Sequence, residues 1–108
     1  MKYINTLLEV LELEGMNVDR ATIREDDLMG CPMALVPNAE NVEDIEVPCN
    51  ALDLYKEEYG LSICVEHPLD PDYGFDIHVY VCDEPVASAS DQSLLESLNF
   101  IHQYLDRY

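Results

Sequence analysis

An α+β fold with an antiparallel sheet is expected from three features of this chain. An apolar stripe at helical spacing opens it, a second such stripe closes it, and the stretch between alternates apolar and polar residues with period two. The 108 residues fit a single domain, 1–108, and leave little room for another. No internal repeat, linker or low-complexity segment interrupts them. The expected order is α-β-β-α-β-β-α, with the helices on one face of the sheet and the other face left to water or a partner.

Residues 2–14 read as the first helix. Ile4, Leu7, Leu8 and Leu11 share one face, Glu9, Glu12 and Glu14 take the wet side, and Gly15 supplies the stop. Residues 16–24 read as a short strand or an extended connector, and 25–30 as a loop. The apolar run 32–37 is bounded by prolines and reads as a strand near an edge. A turn at 38–41 leads to a strand at 42–47, which Pro48 should end. Asn50 is a good N-cap, so 51–59 is expected to be a short helix closed by Gly60. Leu61, Ile63 and Val65 then alternate with Ser62, Cys64 and Glu66, as Phe75, Ile77, Val79 and Val81 do with Asp76, His78, Tyr80 and Cys82. With the turn-rich stretch 68–74 between them, this is a hairpin with one apolar and one wet face. A turn centred near residue 71 puts Cys64 opposite His78 and Glu66 opposite Asp76. A final helix over about 91–107, capped by Ser88, Ser90 or Asp91, carries the stripe Leu94, Leu98, Ile101 and Leu105.

The charge is extreme and unevenly placed. There are 23 acids against 5 Lys and Arg, a formal net charge of −18. Residues 1–24 are nearly neutral, whereas 25–106 hold 19 acids and one base, Lys56. The acids alternate with Ile, Val, Leu and Tyr, so they belong to the wet side of a folded body and not to a disordered tail. Such a charge argues against direct binding to nucleic acid or to an anionic membrane, because each phosphate adds repulsion. No stretch approaches the length of a transmembrane helix, and the first residues show no secretory pattern. A cytoplasmic location, in a bacterial host cell, is therefore expected. The four cysteines, Cys31, Cys49, Cys64 and Cys82, are expected to be reduced, partly buried thiols, although their even number would also permit two disulfides.

Motifs for chemistry are absent. Four Cys with His67, His78 and His102 could ligate zinc, but no C-x2-C or H-x3-H pair supplies the usual spacing. Asp70-x-Asp72-x-Gly74-x-Asp76 begins like a calcium loop and then fails, with Gly74 where a third oxygen is usual and Val81 where a Glu is needed. A Cys64–His78 pair could make a nucleophile, but the surrounding acids would oppose a thiolate. No phosphate-binding loop, hydrolase elbow or metalloprotease helix occurs. Neither a catalytic centre nor a metal or other cofactor is expected.

Acids kept at the cost of mutual repulsion imply a use. The expected use is binding to a basic protein, such as a nuclease or other nucleic-acid-binding protein, whose phosphate-spaced groove a carboxylate-bearing domain can occupy as a mimic of DNA. By analogy of size and charge alone, this is how phage inhibitors of restriction or CRISPR nucleases act. The alternative is an immunity or antitoxin protein that neutralises one basic nuclease toxin. The lesser alternatives are a domain adapted to high salt, since Lys is scarce, and a metal-binding protein. The acids expected to bind are Asp26, Asp27, Asp44, Glu46, Glu66, Asp76, Asp83 and Glu84, with Tyr80 as an aromatic anchor.

Overall fold

A computed structural model describes residues 3–25, 32–36, 45–70 and 72–108. The fold is α+β: α1 (Tyr3–Leu13), six strands, and α2 (Leu94–Arg107). The strands are β1 (Arg20–Arg24), β2 (Met33–Val36), β3 (Ile45–Lys56), β4 (Leu61–Pro68), β5 (Phe75–Val81) and β6 (Glu84–Gln92). All pairings are antiparallel, in the order β1-β3-β4-β5-β6, with β2 paired to the first part of β3.

The helices form where the apolar stripes demand. Ile4, Leu7 and Leu11 of α1 and Leu98, Ile101 and Leu105 of α2 are buried, and they meet Leu52, Leu54, Ile63, Val65, Ile77 and Val79 from one face of the sheet. Gly15 at φ 75° ends α1, and the amides of Gly15 and Met16 reach back to the carbonyls of Glu12 and Leu11. The cap of α2 is Ser93, not Ser88, Ser90 or Asp91. Its hydroxyl takes the Glu96 amide while the Glu96 carboxylate takes the Ser93 amide, a complete capping box.

The expected β4–β5 hairpin is present in the expected register, with Cys64 opposite His78 and Glu66 opposite Asp76. The strand expected at 32–37 is β2, and the part of the 42–47 strand within the described residues belongs to β3.

Other expectations need correction. Residues 51–59 are not a helix: 51–56 continue β3, and a single 3₁₀ turn, Glu57–Tyr59, follows. Leu52, Leu54 and Lys56 turn to the helices while Ala51, Asp53 and Tyr55 turn away, a period of two. Strand β3 gains neighbours on both sides, β1 and β4, and that ladder outweighs a short helix whose first turn is costly to nucleate. Nor does Pro48 end its strand. It stays in register opposite Met33 of β2, and its carbonyl accepts the Leu69 amide just past the end of β4.

Strand β6 is a further difference: the expected order has no strand after the hairpin, and residues 91 and 92, expected to open the last helix, end this strand. It folds back on β5 through a two-residue turn in which Cys82 and Asp83 both have positive φ, 52° and 66°. This is the turn geometry that matches the twist of a hairpin.

Candidate functional site

Rows of side chains on the face away from the helices follow directly from the ladder. One row runs Thr22, Asp53, Cys64, His78 and Ser88; the row beside it runs Arg24, Ala51, Glu66 and Asp76. A third carries Arg20, Tyr55, Ser62 and Tyr80. Polar groups at adjacent positions have paired off. Arg24 Nε donates to Asp53 Oδ2 at 2.7 Å, and its Nη2 reaches Asp53 Oδ1 at 3.4 Å and Cys64 Sγ at 3.6 Å. This bond to Asp53 raises the Arg24 guanidinium above its ordinary value. Glu66 Oε1 lies 3.2 Å from His78 Nε2, and Cys49 Sγ lies 3.9 Å from Glu66 Oε2.

The Cys64 thiol sits among these groups. Burial, then the charges of Asp53 and Glu66, push it up to about 12, with Arg24 pulling weakly the other way. This disfavours the thiolate that a cysteine nucleophile requires.

At one end the face is covered. Ala34 and Val36 of β2 are buried, as are Cys49, Ala51 and Asp76 beneath that end. Asp76 Oδ1 accepts the Asp91 amide at 3.0 Å, and Asp91 Oδ1 accepts the Gly74 amide at 2.9 Å. Asp91 holds this geometry at φ 53°, where β6 slips register against β5.

The expected binding residues therefore occupy different settings. Glu66 and Asp76 are brought together, but Glu66 is bound to His78 and Asp76 is buried. Tyr80 lies half-buried on the same face, opposite Ser62. Glu46 is exposed on β3 opposite Leu35, and Asp83 and Glu84 are exposed at the β5–β6 turn. Asp26, Asp27 and Asp44 lie outside the described residues, as does Cys31.

Arg24, Asp53 and Asp91 were not among the expected residues. The alternation Leu52-Asp53-Leu54-Tyr55 would have put Asp53 on the wet face had it been read as strand. Among the described residues no group of His, Cys, Asp and Glu is arranged to hold a metal ion. Nor is any helix among them long and apolar enough to cross a membrane. Comparison with family models, curated proteins and solved structures gives no match to this chain.

Proposed function

We propose that the protein is a non-enzymatic inhibitor that occupies the basic, nucleic-acid-binding surface of a partner protein, most readily a nuclease. The fate of its own cations carries this reading. Lys56 is buried, with Nζ 3.0 Å from the Leu105 carbonyl at the end of α2. Arg24 is taken by Asp53, and the guanidinium groups of Arg20 and Arg107 lie over the rings of Tyr55 and Tyr104, 5.1 and 5.3 Å from their centroids. Each Lys and Arg among the described residues thus has an intramolecular partner, while Glu46, Glu57, Glu58, Asp83 and Glu84 stay exposed. A strongly negative surface attracts a basic groove at long range, and association is then fast and salt-sensitive.

The test is titration against a panel of basic nucleases, guide-RNA effector complexes included, following nucleic-acid binding and cleavage at low and moderate salt. At least one should be inhibited, with inhibition weakening as salt rises. Reversing Glu46, Asp83 and Glu84 to Lys should weaken it far more than the same change at Glu9 and Glu12. Equal losses would point to the overall field instead of a patch. If no nuclease is bound or inhibited at any ionic strength, the reading is wrong.

A further inference from the structure

The end of the sheet beneath β2 holds a cavity of about 280 Å³. Val36, Tyr73, Asp72, Asp76, Ser90 and Asp91 line it. Asp76 is only 9 % exposed, and its Oδ1 is satisfied by the Asp91 amide. No side-chain oxygen among the described residues is both sealed from solvent and unpartnered. The second oxygen, Oδ2, has no hydrogen-bond partner among the described residues and is therefore not sealed, and Asp76 lines the cavity.

A carboxylate oxygen in such a recess is stabilised by a cation that can reach it, through a charge-assisted hydrogen bond. Asp72 and Asp91 add negative charge at the walls. Among the described residues no group of His, Cys, Asp and Glu there is arranged to hold a metal ion. The recess has instead an apolar wall in Val36 and an aromatic one in Tyr73. That combination fits a cation that is planar, weakly hydrated and carried on an alkyl stem, which describes arginine better than lysine.

We propose that this cavity is an arginine-binding site. The guanidinium donates to Asp76 Oδ2, with Asp91 and Asp72 as flanking charges, and the alkyl stem lies against Val36 and Tyr73. That the arginine comes from the basic partner rests on the function proposed above; the site itself does not.

The test uses N-acetyl-arginine amide as the probe, followed by amide shifts in ¹H–¹⁵N spectra of the whole protein, with tetramethylammonium chloride at equal concentration as the control. Saturable shifts centred on Gly74, Ser90 and Asp91 are expected with the probe and not with the control. Asp76→Asn keeps the acceptor for the Asp91 amide but removes the charge, and should weaken the probe about tenfold. Val36→Phe, which fills the cavity from the opposite wall, should do the same if the first variant folds poorly. Shifts that match the control, or binding unchanged in both variants, would overturn the site. Nuclease inhibition that depends on Glu46, Asp83 and Glu84 would survive that result. Conversely, saturable probe binding with no nuclease inhibited would leave the site standing and remove the inhibitor reading.

Discussion

Gly74 donates its amide to Asp91 Oδ1 across 2.9 Å, and the same approach presses its Cα against the backbone of β6. A Cβ built on Gly74 would lie 2.6 Å from the Gln92 carbonyl oxygen and 2.8 Å from the Asp91 carbonyl carbon. Both are main-chain atoms, so relief requires moving a strand. Gly74→Ala should cost about 2 kcal/mol or more, read from urea denaturation, and should broaden the Asp76 and Asp91 signals. A loss under about 0.5 kcal/mol would mean the two strands can part there freely.

Strand β1 is short, and the Arg24–Asp53 pair is a side-chain tie from it to β3, beside Arg20 over Tyr55. Both groups are partly exposed, which limits what the pair contributes. Arg24→Gln should lower stability by about 0.5–1 kcal/mol, with the difference shrinking at high salt. Hydrogen exchange should quicken at 20–24 before it does in β4 and β5. Uniform quickening would show that β1 is not the element that opens.

Cys64 makes an alkaline prediction whose sign is set by its raised value. The folded state binds the thiol proton more tightly than the unfolded chain, whose thiol titrates near 9.0. The contribution is therefore complete below that range and is lost as pH climbs from 9.0 toward about 12. Melting curves should show stability falling over this window, with a gentler fall in Cys64→Ala. At about pH 8, iodoacetamide should modify Cys64 far more slowly than exposed Cys82, because the thiolate is the reactive form. Equal rates would contradict the burial that raises it.

The turn at Cys82–Asp83 asks two non-glycine residues to hold positive φ. Asn tolerates that region better than Cys. Cys82→Asn should raise stability by about 0.5 kcal/mol in thermal or urea melts. A loss instead would show that the packing of Cys82 against Gly60, whose carbonyl takes the Cys82 amide at 3.0 Å, outweighs the backbone gain.

Much of the fold was legible because its signals are local. The stripes of α1 and α2 and the alternation of Leu61–Val65 and Phe75–Val81 each specify an element without reference to the rest, and even the β4–β5 register followed from the position of one turn. Strand β6 was not legible. Its Ala and Ser residues bury little and favour no element, so the strand exists because β5 offers a ladder to pair with. The same holds for 51–56, where an apparent cap at Asn50 competed with a ladder visible only in three dimensions. For the site, Glu66 and Asp76 were legible as neighbours, but not their separate fates: one bound to His78, the other buried against β6.

Residue types and their spacing alone determined the net charge of −18, the two helices, the central hairpin and the absence of a catalytic or metal-binding motif. These depend on composition and on periods of two and 3.6, which need no partner to exist. Only the tertiary structure decided which acids remain free. Pairing and burial act between residues far apart in the chain: Arg24 with Asp53, Glu66 with His78, Asp76 with the Asp91 amide. Composition and period alone do not specify such contacts.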